Sequence, residues 1–405
     1  MLRPRFSAFT LLLFAGPLYH SNLWHSNPWA VLWTAPCILI ASVLITWGAE
    51  SAQFFVAQGF ALAILAWMQT LPEFAVEAVL AWRQQTGLLM ANLTGALRLL
   101  TGLAWPMIYL TAAAVHRKRE RRPLGKIELD PQQSVEVVGL FFPLLYAAVI
   151  WWKGSLEAYD AGVLVAFYAG YLWLLTKLPP QGREGVEDLE AAPRAIARAP
   201  RGRRVLAIAG CFAAGGALIY LTAAPFLGSL IALAGALGLP SFLVIQWFAP
   251  VVSEFPELAS TFYFARQSEK ASIGLMNIAS SNINQWTLLI AMLPVVLSLG
   301  QGHLAVISLD RQQESELLLT IGQSCVGLTF LLNMRFEWWE ALAMFLLFAA
   351  QFALPALFGS GARAWITGAF FLWVALAAIK MAIHRCRPKA LASFAAIWRE
   401  HVRTT

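Results

Sequence analysis

Charge is what this chain has least of. Only 13% of its 405 residues are Asp, Glu, Lys or Arg, against about 25% in a soluble domain. Together with a mean hydropathy of +0.64, this excludes secreted and cytosolic enzymes and points to an integral membrane protein with several spans. Cysteine is also scarce: Cys37, Cys211, Cys325 and Cys386 show no metal-like spacing. Three fall in apolar runs and the fourth just past the last, so buried, inert thiols are expected. The six histidines (His20, His25, His116, His303, His384, His401) lie in or near loops, and no His-Glu-x-x-His occurs. That argues against an intramembrane zinc enzyme, and no cofactor beyond a transported ion is implied. The net charge of +7 is no nucleic-acid signal, because the basic residues sit in short loops where they report orientation.

What the chain does have is long apolar runs. Residues 6–20 are apolar but short, with Arg3 and Arg5 in front, and fit a signal peptide, a signal anchor or a short extra span equally well. Spans follow at about Trp29–Trp47, Phe54–Trp82, Leu88–Val115, Val135–Trp152 and Ala161–Leu178. After a Pro-, Gly-, Glu- and Arg-rich break, a second set runs at about Val205–Ala224, Leu239–Phe264, Ile273–Leu299, Leu317–Met334 and Trp338–Phe358. A further run, Ala364–Ile383, precedes a basic tail. The expected fold is an all-α integral membrane protein of about ten core transmembrane helices in two five-helix repeats, plus one C-terminal helix and a possible short N-terminal one. The expected units are an N-terminal segment 1–28, a first repeat 29–178, a linker 179–204, a second repeat 205–358 and a C-terminal helix with tail 359–405.

Five spans per half is an odd number, so the second half must enter the membrane from the opposite side. Placing 116–134, 179–204 and the tail on one face collects most loop Lys and Arg, and that face is expected to be cytoplasmic, in a plasma or bacterial inner membrane. The many Trp and Phe residues are read as lipid-facing or interfacial.

Two stretches stand out inside these runs: Gln69-Thr70-Leu71-Pro72-Glu73-Phe74 and Val252-Ser253-Glu254-Phe255-Pro256-Glu257-Leu258. A charge at the bilayer centre costs about 2.5–3.5 kcal/mol on insertion scales, and proline removes a helix hydrogen bond. Such a costly element in corresponding positions of two halves points to a transport site built by an internal repeat. Hard cations such as Ca²⁺ take about six to eight oxygen ligands. Glu73 and Glu257 offer charge, Thr70 and Ser253 hydroxyls, and Asn92, Asn277, Ser281 and Asn282 neutral oxygens. Pro72 and Pro256 free carbonyls near Met68 and Val252. The polar residues other than the two glutamates also fit a plainer role, holding helices together.

These residues resemble the alpha-repeats of the calcium/cation antiporter superfamily, the sodium/calcium exchanger type. Each repeat of that family carries a Gly-Thr-Ser-Leu-Pro-Glu-like stretch and then a Gly-Asn-x-x-Gly-Ser-Asn-like stretch on the next helix. Ser253-Glu254-Phe255-Pro256-Glu257 and Thr70-Leu71-Pro72-Glu73 match the first. Met276-Asn277-Ile278-Ala279-Ser280-Ser281-Asn282 matches the second, and Ala91-Asn92-Leu93-Thr94-Gly95 matches only its start. The resemblance implies that Glu73 and Glu257 are the core ion ligands of a secondary antiporter. It would exchange Ca²⁺ or a related cation for H⁺ or Na⁺ by alternating access, with lipid and inorganic cations as partners and no nucleic acid.

The chain departs from the family pattern at Glu254, Glu77, the pair Ala96-Leu97 and Arg98. Four carboxylates (Glu73, Glu77, Glu254, Glu257) carry −4 if ionised, and Arg98 returns +1 as a fixed modulating cation, expected to pair with Glu77 or Glu73. Bare ions buried in lipid cost several kcal/mol each, so uptake of protons is favoured and H⁺ is expected as at least one coupling ion. A monovalent sodium/proton-type exchanger and a passive cation channel remain as alternatives. A sensor or scaffold that has lost transport is the reading left by the lopsided first half.

Overall fold

The computed structural model describes residues 27–52, 55, 70–178, 186–359, 361–383 and 388–402. Residues 6–20, Met68 and Cys386 lie outside the described residues. In lipid a backbone must satisfy its own hydrogen bonds, so the apolar runs become helices. The first half comprises α1 (Val31–Ala52), α2 (Leu71–Trp82), α3 (Thr86–Glu120), α4 (Ser134–Lys153) and α5 (Ala158–Lys177). A short helix α6 (Ala191–Arg198) lies in the stretch expected as linker and packs against α1. The second half comprises α7 (Arg201–Leu237), α8 (Ser241–Ser253), α9 (Phe255–Ala265), α10 (Ser268–Gln301), α11 (Arg311–Leu331) and α12 (Trp338–Phe358). Helices α13 (Ala362–Ile383) and α14 (Lys389–Ile397) follow. Among the described residues eight helices are long and apolar enough to cross a membrane.

The halves repeat one another in detail. One long helix of each half is interrupted by a π-helical stretch, Leu100–Ala104 in α3 and Gln285–Leu289 in α10. Such stretches insert an extra residue into the helical ladder and are frequent at functional sites. Two tryptophans there are fully buried, Trp105 directly after the first stretch and Trp286 within the second, whereas Trp29, Trp152 and Trp365 are exposed. The lipid-facing expectation therefore holds for part of the set only. Cys37, Cys211 and Cys325 are free and half-buried, not fully buried as expected.

Among the described residues four short strands tie the halves together: β1 (Lys126–Glu128), β2 (Ser155–Leu156), β3 (Ile307–Ser308) and β4 (Arg335–Glu337). β1 pairs antiparallel with β4, setting Lys126 opposite Glu337 and Glu128 opposite Arg335, while β2 pairs with β3. β1 precedes α4 and β2 follows it, so the two ribbons lie at opposite ends of that helix. Each ribbon takes one strand from each half, as an inverted repeat requires.

Helices interlock across the halves in the same manner. α3 packs on α8, and α10 packs on α2. The first crossing is closed by Gly95, where a Cβ would come within 1.8 Å of the Gln246 carbonyl oxygen. Any side chain there would hold the two helices apart, so glycine sets their distance.

One boundary differs in a way that matters. α11 begins at Arg311 instead of near Leu317, because Asp310 accepts a bond from the Gln313 amide (2.8 Å) and the Gln313 side chain accepts from the Asp310 amide (3.1 Å). This reciprocal cap starts the helix early and carries Glu316 into the core at 1% exposure.

Candidate cation-binding site

Proline places the bends. Pro256 has no amide proton to give Val252, so the helix breaks at Glu254, which ends α8 and starts α9 with φ −85° and ψ −3°. Pro72 stands in the first turn of α2, which starts after Thr70. The breaks point Glu73 and Glu257, both in a first helical turn, into the interior, where they are 1% and 2% exposed. A helix N-terminus carries partial positive charge, which favours a carboxylate in that position.

A glutamine joins the two halves at this point. The Nε2 of Gln285, in the π-helical stretch of α10, donates to Glu73 Oε2 at 2.8 Å and to Glu254 Oε1 at 2.6 Å. Glu254 lies between Glu73 and Glu257, close enough for each to feel its neighbour's charge, and Ser281 adjoins Glu257. Both oxygens of Glu257, Oε1 of Glu73 and Oε1 of Gln285 are buried without a hydrogen-bond partner. Buried acceptors left unmatched cost about 1–3 kcal/mol each, and a proton or a cation is what matches them. No group of three or more His, Cys, Asp or Glu side chains is gathered as a preformed metal-binding set among the described residues. Glu73 and Glu254 are held by Gln285 instead.

The other expected residues divide. Asn92 Nδ2 donates to Glu77 Oε1 at 2.9 Å, which places Glu77 beside the cluster with its second oxygen unmatched. Thr70 Oγ1 accepts from Asn284 Nδ2 at 2.5 Å. Asn282 donates to the Ile278 carbonyl at 3.1 Å and leaves its own buried oxygen open. Ser253 donates back to the Ala249 carbonyl of its own helix at 3.2 Å. Asn277 is half-buried and joins Ser260 on α9 at 3.5 Å, with no hydrogen bond to a carboxylate.

Arg98 corrects an expectation. It pairs with neither Glu73 nor Glu77: its Nη2 bonds Glu316 Oε2 on α11 at 2.6 Å, its Nη1 bonds Gln351 and its Nε the Thr94 carbonyl. The guanidinium also stacks over Trp247, 5.0 Å from the ring centre. Arg363 of α13 takes the other Glu316 oxygen, and Gln246 donates to Oε2 at 2.9 Å. An arginine and a glutamate far apart in sequence thus neutralise each other away from the carboxylate cluster.

Residues that sequence patterns missed are Gln285, Asn284, Gln246 and Glu316. Asn284-Gln285 directly extends the polar run ending at Asn282, and that continuation was the available signal.

Known proteins share this family pattern and this fold. The family model described as "Sodium/calcium exchanger protein" matches residues 26–177 and 207–356, one block per half. The chain is similar to the crystal structure of an H⁺/Ca²⁺ exchanger, CAX, with 31% identity and a TM-score of 0.83 over 97% of this chain and 98% of that one. It shares its fold with native YfkE, at 13% identity and TM-score 0.57 over 89% of this chain and 99% of that one. The sodium-calcium exchanger NCX_Mj gives 18% identity and TM-score 0.51 over 80% and 98% of the two chains. Comparison with the curated proteins yields no match. With both halves covered by one family model and the whole chain paired with a relative above 30% identity, this protein belongs to the sodium/calcium exchanger family, integral membrane transporters of inorganic cations and not enzymes.

Proposed function

We propose that this protein is a secondary active antiporter exchanging Ca²⁺ for H⁺ by alternating access, with the cation held between Glu73 of one half and Glu257 of the other. The observation that carries this is the cluster of buried carboxyl oxygens without partners at the junction of the two halves, gathered around Gln285. Glu254 and Glu77 add charge, Asn92 bonds Glu77 and Ser281 adjoins Glu257, and Asn282 and Thr70 are the further oxygen donors of the proposed site. Ser253 and Asn277 donate in their present hydrogen bonds, which leaves their oxygens open as further ligands.

Electrostatics favours H⁺ as the counter-ion. Arg98 is committed to Glu316, so four ionised carboxylates would hold −4 with no cation paired to them among the described residues, and a bound Ca²⁺ would still leave −2. Ions buried in low dielectric cost several kcal/mol apiece, so the empty state takes up protons and the Ca²⁺-bound state releases some of them. Mutually exclusive occupation of one set of oxygens by Ca²⁺ or by protons is what couples the two fluxes. The likeness to an H⁺/Ca²⁺ exchanger over nearly the whole chain supports the same choice. We place loops 116–134 and 179–204 on the cytoplasmic side of a plasma or bacterial inner membrane by the distribution of Lys and Arg. The functional units are then a repeat over 29–178 and a repeat over 205–358, joined by 179–204 and followed by 359–405.

Proteoliposomes free of sodium test this. An imposed pH gradient should drive ⁴⁵Ca²⁺ uptake, and Glu257→Gln should abolish it. Uptake driven only by a sodium gradient would overturn the proton coupling, and currents far above carrier rates with no coupling would make the protein a channel.

A further inference from the structure

The two strand ribbons are counterparts under the repeat, yet only one of them is charged. Asp130 and Asp310 head the same reciprocal cap in the two halves, 180 positions apart. By that offset Lys126 of β1 corresponds to Val306, and Arg335 of β4 to Ser155. The β2–β3 ribbon pairs Ser155 with Ser308 and Leu156 with Ile307, so a ribbon forms there without a charged strand residue. Strand pairing alone does not ask for the cations of the β1–β4 ribbon.

Those cations line a groove. A surface cavity of about 340 Å³ lies between this ribbon and α14. Lys126, Arg335 and Lys389 reach it from three separate segments, with Glu128 as the one acid of its lining and Asn333 and Ser393 as uncharged hydrogen-bonding groups. Lys126 Nζ sits 2.6 Å from Glu128 Oε1. That contact holds the Glu128 carboxyl below the usual carboxylate range, and Lys389 and Arg335 add to the pull. Arg335 spends its Nε on Glu337 at 2.7 Å, which leaves Nη1 and Nη2 for a ligand. Lys389 is exposed and forms no ion pair among the described residues. Three cations against one carboxylate leave the lining with a positive charge in excess. The volume falls at the low end of small-molecule sites, about 300–1,000 Å³, and suits a headgroup.

Apolar side chains set the level of this groove. Trp338 and Trp339 follow β4 directly and are exposed. α14 buries Ala390 and Ile397, while Leu391 and, just past the helix end, Trp398 are exposed. Exposed tryptophan and leucine beside cations are the pattern of a membrane–water interface. Basic pockets at such a level recognise anionic headgroups.

We propose that the groove between the β1–β4 ribbon and α14 binds the headgroup of an anionic phospholipid, with Lys126, Arg335 and Lys389 taking its phosphate. The acyl chains stay outside, in the bilayer. A headgroup seated there touches both repeats and the C-terminal helix at once, because β1 belongs to the first half and β4 to the second. Bound lipid of this charge therefore holds the three together.

Thermal melting of the full-length protein, stripped of lipid in a mild nonionic detergent, tests this against phosphatidylglycerol, phosphatidylcholine and inorganic phosphate. Phosphatidylglycerol should raise the melting temperature saturably, and phosphatidylcholine should not. One charge near an anionic lipid surface is worth about a fivefold change in binding. K389Q should need about fivefold more phosphatidylglycerol for half the shift. E128Q should need about fivefold less, because it removes the acid that competes for the cations. A merely structural role would not move the two titrations in opposite directions, and E128Q alone decides if K389Q fails to fold. Equal stabilisation by phosphatidylcholine, or an E128Q titration matching the wild type, would overturn the site. Inorganic phosphate that reproduces the shift at millimolar concentration and blocks phosphatidylglycerol would overturn the lipid as its ligand in favour of a free anion.

Discussion

Replacing Arg98 by methionine is the sharpest perturbation the structure offers. The change keeps side-chain bulk and removes three donors at once, to Glu316, Gln351 and the Thr94 carbonyl. Ordinary interhelical hydrogen bonds in membrane proteins are worth about 0.6 kcal/mol and at most about 1.7. Removing one partner of a buried ion pair costs about 3–5 kcal/mol, because the other charge is left uncompensated. Here Glu316 keeps Arg363 and Gln246, so the low end applies and R98M should destabilise the fold by about 3 kcal/mol. R98M/E316Q removes the orphaned charge as well and should recover at least about half of that loss. Unfolding in mixed micelles of SDS and a mild detergent, followed by far-ultraviolet circular dichroism, measures all three variants. A cost for R98M below about 1 kcal/mol, or additivity of R98M and E316Q within about 0.5 kcal/mol, would refute the assignment of the pair. R98M and E77Q, by contrast, should add, since Asn92, which holds Glu77, sits six residues or about 9 Å along α3 from Arg98.

Two further outcomes follow from the packing and from the bridge at the site. Gly95→Ala must open the α3–α8 crossing by about 1.2 Å, the gap between the 1.8 Å contact and the 3.0 Å below which Cβ atoms essentially never approach. A loss of about 1–3 kcal/mol is expected, read as a lower melting temperature; an unchanged melt would show that the crossing yields freely. Gln285→Leu removes both donors that hold Glu73 and Glu254 together. Hydrogen bonds to charged groups are worth about 1.5–3 kcal/mol, so the apparent Km for Ca²⁺ should rise about tenfold or more. An unaltered Km in concentration-dependent ⁴⁵Ca²⁺ uptake would remove Gln285 from the site.

Much of this site was legible before any coordinates. Glu73 and Glu257 announce themselves because a carboxylate and a proline are both costly in an apolar helix, and neither is kept there without use. Gln285 does not announce itself. An uncharged amide in a span is common and usually glues helices, and its role depends on a π-helical stretch that turns it toward both halves. Glu316 was hidden by a boundary: an apolar run read from Leu317 leaves it in a loop, whereas the Asp310 cap draws it into the helix. The partner of Arg98, 218 positions away, is invisible to any local pattern.

The amino-acid sequence by itself settled the solvent of this protein, its helical class and its duplication, because hydropathy and the charge of loops are properties of each stretch alone. It also singled out two acidic elements. Only the tertiary structure decided which charges meet: Arg98 with Glu316, and Glu73 with Glu254 through Gln285. Coulomb and hydrogen-bond energies fall off over a few ångströms, and distances of that size between residues of opposite halves are set by how helices cross, as at Gly95 against Gln246.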